Sequence, residues 1–297
     1  MADFRENLRG GIIMAASMAA FAVNDTFTKA VGGEMGVMQV VFLRSVVVAP
    51  LILALAWMRG ALTFNMAGRD AWLLGLRCVT EVLAAWFFLT ALFNMPLANA
   101  TAILQVTPLV VTLAGFVFFR EQVGLWRLSA ILVGFVGVMM IVRPGGADFT
   151  IYSVWALAAV LAVVARDLVT RRMSGALPSL TVASATAITV GAAAGIGAMF
   201  EPWEPVTLTA ALKIGGASGA IFFAYLCSVM AMRMGDIGFV SPLRYTALIW
   251  ALMLGWLAFG HFPEPLPLAG GALVLAAGLF TYMRERHVAR QLARSAA

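Results

Sequence analysis

Ionisable side chains interrupt the apolar stretches of this chain at Asp25, Lys29, Arg44, Arg77, Glu81, Arg166, Asp167 and Arg244. Each costs about 2.5–3.5 kcal/mol to place in an apolar medium, so such groups persist when they pair, reach an edge or handle a polar solute. Asp25 and Lys29 lie four residues apart with the acid first, the order that favours an intrahelical pair, and Asn24 stands beside them. They either satisfy each other or line a polar path through the first apolar stretch. Arg77 and Glu81 repeat the spacing; they neutralise each other, or Glu81 faces an internal space and carries a proton. Arg44 has no acid within reach along the sequence, so it needs a partner from another element, a lipid phosphate or a bound carboxylate. Arg166 and Asp167 close the sixth apolar stretch, where they can snorkel to water. Arg244 follows Pro242 and is either a boundary residue or an anchor for an anionic group.

Uncharged side chains extend the pattern. Thr101, Gln105 and Thr112 share a face of a continuous fourth helix, and Ser241 and Tyr245 take the matching places 140 residues later. The mid-stretch rings Trp86, Tyr225 and Tyr245 are suited to hold an apolar or aromatic solute, with the arginines taking its carboxylate. Trp72, Trp126 and Trp203 read instead as interfacial rings. This is binding chemistry. Proteolysis would want a Ser–His or two-Asp constellation, and the only histidines are His261 and His287. Cys78 and Cys227 sit in separate apolar runs and suggest neither a disulfide nor a metal site. No GxxxxGK[ST] motif is present, which excludes an ATP-driven pump within the chain. No cofactor is implied.

The elements that position these residues are membrane helices. The 297 residues are 62% hydrophobic and 11% charged, with a mean hydropathy of +0.95. Soluble domains run about 45–50% apolar and about 25% charged. Ten apolar runs fit, at about 10–30, 36–58, 71–93, 97–119, 125–143, 152–171, 178–200, 209–232, 237–259 and 266–284. The first run continues past the Ala-rich stretch at Ala15 and reads as a span, not a cleaved signal. With the N-terminus inside, thirteen arginines flank cytoplasmic ends, from Arg5 and Arg9 to Arg290 and Arg294, against Lys29, Arg143 and Lys213 outside. That bias places both termini in the cytoplasm. The basic balance is explained by the membrane, and nucleic acid is not an expected partner. The expected partners are a small-molecule substrate and lipid, with no obligatory protein partner.

The stretch Asn94–Glu121 recurs as Met234–His261 at an offset of 140, where Thr101 meets Ser241, Gln105 meets Tyr245 and Gly115 meets Gly255. Asp25–Lys29 faces Asp167–Arg171 at an offset of 142. The chain therefore divides into five-span halves, 1–146 and 147–297, broken at Pro144-Gly145-Gly146. Five is odd, so the second half is inverted in the membrane, an arrangement of alternating-access carriers with a midplane site. Pro96, Pro108 and Pro242 are candidate hinges. Glycine pairs at helix spacing, namely 134/137, 191/195, 215/219 and 271/278, read as close-packing seams.

The pattern running through Ala91-Leu92, Pro96, Ala98, Ala100, Pro108, Gly115 and Glu121 resembles the drug/metabolite transporter superfamily. Within it the chain looks like the ten-span EamA-type branch, and its aromatic richness is similar to that of bacterial aromatic amino-acid exporters. The resemblance covers essentially the whole chain. It implies an all-α integral protein of the bacterial cytoplasmic membrane, not an enzyme, that exports small metabolites, with aromatic or hydrophobic amino acids favoured. Uptake or exchange of a larger nucleoside-like or vitamin-like solute is the alternative. The second copy departs from the motif, with Leu248 in place of Pro108 and His261 in place of Glu121.

Overall fold

A computed structural model describes residues 4–63, 66, 68–119, 125–144, 150–174, 177–233 and 240–295. The expected boundary at 146/147, Arg120 and Glu121 lie outside the described residues, as does the side chain of Ser241. The elements are α1 (Phe4–Val31), α2 (Val37–Met58), α3 (Gly68–Asn94), α4 (Leu97–Leu104), α5 (Thr107–Phe119), α6 (Leu125–Val142), α7 (Ile151–Arg171), α8 (Ser179–Ala198) and α9 (Leu208–Arg233). A 3-10 turn (Ser241–Tyr245), α10 (Thr246–Phe259) and α11 (Pro265–Ser295) complete the chain. Nine segments among the described residues are long and apolar enough to cross a membrane, and α6 adds a shorter apolar helix over Leu128–Val142. Glycines in the left-handed region end two of the helices. Gly60 (φ 59) closes α2 with Gly60 N–H on Trp57 O and Ala61 N–H on Ala56 O, and Gly260 (φ 66) closes α10 on Trp256 O.

The fourth and ninth spans are not the continuous helices the apolar pattern suggests. In the fourth, Pro108 has no N–H for the carbonyl of Leu104, and the Thr107 hydroxyl donates to that oxygen at 2.6 Å instead. The Leu109 and Val110 amides then turn to Val106 O, at 2.9 and 3.1 Å, and α5 starts as a new helix. In the ninth, the Thr246 hydroxyl donates to Leu243 O at the same 2.6 Å, where the 3-10 turn meets α10. Leu-x-x-Thr is therefore the sequence mark of both breaks, Leu104–Thr107 and Leu243–Thr246.

The most extensive helix pairings are α1 with α9, α3 with α7, α2 with α8, and α6 with α11. A shift of five spans exchanges the first two pairings and returns each of the others to itself. Glycines set several of the contacts. Gly191 lies against Ser45 and Gly195 against Phe42 in the α2–α8 seam, and Gly137 lies against Gly270 in the α6–α11 seam. Gly215 and Gly219 do not form a seam: nothing lies within 4 Å of a side chain built on either. The α1–α9 contact runs one residue over, where Gly216 meets the ring of Phe27, and the buried Ser17 hydroxyl donates to Ala224 O at 2.7 Å.

Candidate functional site

On α1, Asn24 is 2% exposed and uses both ends of its amide. Nδ2 donates to Asp25 Oδ1 at 2.9 Å, and Oδ1 accepts from Arg44 Nη1 of α2 at 3.3 Å. Asn24 thus bridges an acid and a base that lie within electrostatic reach of each other. This is the partner Arg44 lacks in its own stretch of sequence. Tyr225 of α9 is a second electrostatic neighbour of Arg44 and stands edge-on to Phe21, with ring centroids 5.6 Å apart. Lys29 does not pair with Asp25. Its ammonium takes the carbonyls of Leu92 and Met95, at 2.7 and 2.8 Å, because the end of α3 offers unsatisfied oxygens.

The α3–α7 interface carries the main ionic network. Glu81 pairs with Arg166 at 3.2 Å and with Arg77 at 3.8 Å. Arg166 also holds Asp167 at 2.9 Å, so it turns inward to two carboxylates and does not snorkel. Arg77 Nε donates to the Thr170 hydroxyl at 3.1 Å, and its Nη1 donates to the Thr186 hydroxyl. Glu81 is therefore clasped between two guanidinium groups that also reach α7 and α8.

The two helix breaks meet. Gln105, in the first, donates from Nε2 to the carbonyl of Arg244, in the second, at 3.4 Å. Counting from the breaks, the repeats align at an offset of 139, which sets Gln105 opposite Arg244 where the sequence comparison sets it opposite Tyr245. The break also ends the continuous face expected for Thr101, Gln105 and Thr112. Thr101 is half-buried in α4, and the Thr112 hydroxyl returns to Pro108 O at 2.9 Å. Tyr245 lies with its ring against Gly278 of α11. Pro96 precedes the first turn of α4, Pro108 stands in the first turn of α5, and Pro242 lies in the 3-10 turn that Ser241 opens.

Trp86 joins Phe87 and Trp155 in a ring cluster, with centroids 5.2–5.7 Å apart. It also edges a crevice shared with Met38, Val41, Val82, Ala85, Val190 and Ala194, so its described surroundings are apolar. Thr107, whose hydroxyl replaces the backbone bond lost at Pro108, and Thr246, whose hydroxyl adds to the backbone donor on Leu243 O, carry no charge to single them out in the sequence. Thr107→Val leaves the Leu104 carbonyl without its hydroxyl donor and is expected to cost about 1 kcal/mol in thermal unfolding, whereas Thr246→Val should cost less, because Leu243 O keeps the Thr246 backbone N–H.

Asn24, Asp25, Arg44, Glu81, Arg77, Arg166, Asp167, Tyr225, Gln105 and Arg244 thus come from seven elements into one polar region, linked by the contacts above and by the electrostatic proximity of Tyr225 to Arg44, Arg77, Glu81 and Arg166. Arg244 is a further neighbour of Asp167 and Arg166. Formally it holds four arginines and three acids. Tyr225 is 43% exposed and Arg244 is exposed, although both face charged groups of the interior. Towards the outer ends the main apolar core closes over the region, with Leu89, Leu92, Leu97, Ile103, Val160 and Leu248.

The three outer basic residues stitch this closure. Lys29 ties α1 to α3, Lys213 binds Glu34 and Ala30 O at the end of α1, and Arg143 pairs with Glu264 at 2.6 Å. A Lys29→Met change should loosen the outer seal. In a background with Cys78 and Cys227 replaced by serine, a cysteine at Ala100 should react several-fold faster with an impermeant maleimide added outside.

The EamA-like transporter family matches residues 8–143. Among curated relatives, a riboflavin transporter of Vibrio cholerae is 26% identical over 73% of this chain and 73% of its own length. An S-adenosylmethionine uptake transporter of Rickettsia bellii is 24% identical over 91% and 92%. A pseudopaline exporter, CntI, of Pseudomonas aeruginosa is 24% identical over 91% and 95%. A protein of known crystal structure, 18% identical, superposes with a TM-score of 0.66 over 94% of this chain and 98% of the other, and so shares the fold.

Proposed function

Because residues 8–143 match the EamA-like transporter family and the curated relatives are named as metabolite transporters, we propose that this multi-pass protein of the bacterial cytoplasmic membrane is an alternating-access exporter of amino acids, aromatic and hydrophobic ones first. The observation that carries this reading is the polar region, with its surplus arginine, its exposed Tyr225 and its position at the two facing helix breaks. An amino acid presents a carboxylate for an arginine, an ammonium for Asp25 or Glu81, and a side chain for the rings of Phe21 and Tyr225. The halves 1–146 and 147–297 are the two rocking units of this scheme, and the pairing of helices that survives a five-span shift supports them. Glu81 is the group through which a proton could couple to transport, and Pro108 and Pro242 are the flexing points.

A second reading, transport of a larger vitamin-like solute in either direction, is favoured by the relatives named as riboflavin and S-adenosylmethionine transporters. Both readings are tested by reconstituting the protein in liposomes loaded with labelled L-phenylalanine or L-tryptophan. The first expects saturable efflux that unlabelled amino acid outside accelerates by exchange, and a several-fold loss in Tyr225→Ala. Efflux no faster than from empty liposomes for every amino acid would remove it. Labelled riboflavin flux in the same vesicles would then carry the second.

A further inference from the structure

The pairing within the polar region leaves one cation over. Glu81 is shared by Arg77 and Arg166, Asp167 is held by Arg166, and Asp25 reaches Arg44 through Asn24. Arg244 has acids and bases nearby, yet no ion pair or side-chain hydrogen bond joins its guanidinium to any described residue. A guanidinium inside a membrane-spanning segment, here Pro242–Phe259, is too costly to leave without a counter-charge or water, and this one is exposed. Its backbone, by contrast, is fixed. Arg244 lies in the 3-10 turn, its carbonyl accepts from Gln105 of the opposite break, and Thr246 ties the end of the turn to Leu243. A held backbone with an uncommitted, planar, five-donor head is the arrangement that reads a carboxylate with two parallel hydrogen bonds.

We propose that Arg244 is the specificity-determining residue of the carrier and takes a single carboxylate of the transported metabolite. Gln105 positions it from the other half. One surplus cation matches one carboxylate: a monocarboxylate leaves the region neutral, an amino acid pairs Arg244 while its ammonium turns to an acid of the region and adds no net charge, and an amino acid capped as its amide offers Arg244 no anion and adds a cation. The proposal rests on the transport reading above and narrows it to carboxylate-bearing substrates. Because Gln105 and Arg244 belong to opposite breaks, a ligand drawn to Arg244 pulls on the contact between the two halves. Substrate binding and the change of access thereby share one hydrogen bond.

The test uses the purified full chain and three probes, L-phenylalanine, 3-phenylpropionate and L-phenylalaninamide. Phenylglyoxal modification of Arg244, read by mass spectrometry, should be slowed by the two carboxylates and not by the amide. In liposomes, Arg244→Gln should raise the KM for phenylalanine about tenfold or more, the loss expected for one charge-assisted pair, and should erase the preference for phenylalanine over its amide. Arg244→Lys should restore part of that preference. Gln105→Leu should keep the preference and lower the maximal rate. The preference itself reports on the carboxylate, and damage to folding alone would not remove it. Equal protection by the amide, or no protection by either carboxylate, overturns the proposal. Absence of amino-acid flux with protection by 3-phenylpropionate intact removes the export reading and leaves the anchor standing.

Discussion

A Glu81→Ala carrier is expected to lose about 3–5 kcal/mol of stability and all transport. Glu81 is the shared counter-charge of Arg166 at 3.2 Å and Arg77 at 3.8 Å, and all three side chains are largely withdrawn from solvent. Removing one partner of such a group strands the other charges, which costs far more than the pair itself contributes. Arg166 keeps Asp167 at 2.9 Å, and Arg77 keeps only the Thr170 and Thr186 hydroxyls, so Arg77 bears most of the loss. The formal surplus of the region rises from one cation to two. Thermal unfolding in detergent reads the stability, and flux per folded molecule reads the function. If the stranded cation is the cause, adding Arg77→Met to Glu81→Ala should recover much of the unfolding temperature without recovering flux. Glu81→Gln separates pairing from protonation. Its flux should no longer respond to an imposed pH gradient if Glu81 is the coupling group. A response equal to that of the wild type would place coupling elsewhere.

What the sequence made legible follows from how each signal is carried. The spans are written in composition: about twenty apolar residues are needed per crossing, and arginines mark the cytoplasmic ends, so ten elements and their orientation can be counted. The breaks at Gln105 and Tyr245 were hidden because a break is made by single bonds, the hydroxyls of Thr107 and Thr246 on carbonyls three residues back. Pro108 advertises the first break, and Ala247, its counterpart when the repeats are counted from the breaks, conceals the second. Ion-pair partners were legible only where they lie on one helix. Arg77–Glu81 can be read from its spacing, whereas Arg166–Glu81 spans 85 positions and Arg44–Asn24 spans 20. Lys29 shows the reverse failure. Its spacing to Asp25 is right for a pair, but the end of α3 supplies two carbonyl oxygens that no local rule reveals. Glycine spacing misled in the same way at Gly215 and Gly219, since an open face and a packed face share one pattern.

That last ambiguity yields a contrast of large expected size. Gly270→Val should prevent stable folding, whereas Gly215→Ala should be neutral or slightly stabilising. A Cβ at Gly270 would stand 2.5 Å from the carbonyl oxygen of Gly137, with Met140 and Ile141 at 3.0 Å, and a Cβ at Gly137 would stand 2.6 Å from the carbonyl of Gly270. The obstacle is backbone on both sides, so no rotamer change relieves it and α6 must part from α11 along the whole seam. Overpacking that side chains can absorb costs about 1–3 kcal/mol; with carbonyls opposed, the loss should exceed about 3 kcal/mol. Around Gly215 nothing lies within 4 Å, and alanine there gains the helix preference of about 1 kcal/mol over glycine. Unfolding temperature and the yield of monodisperse protein measure both. Because one separation of the helices relieves both clashes, Gly137→Val with Gly270→Val should cost less than the sum of the two. None of the residues assigned to the polar region lies on α6 or α11, so the surviving fraction of a milder Gly270→Ala protein should keep its KM. A changed KM would mean that the α6–α11 pair moves with the site and is not a passive brace.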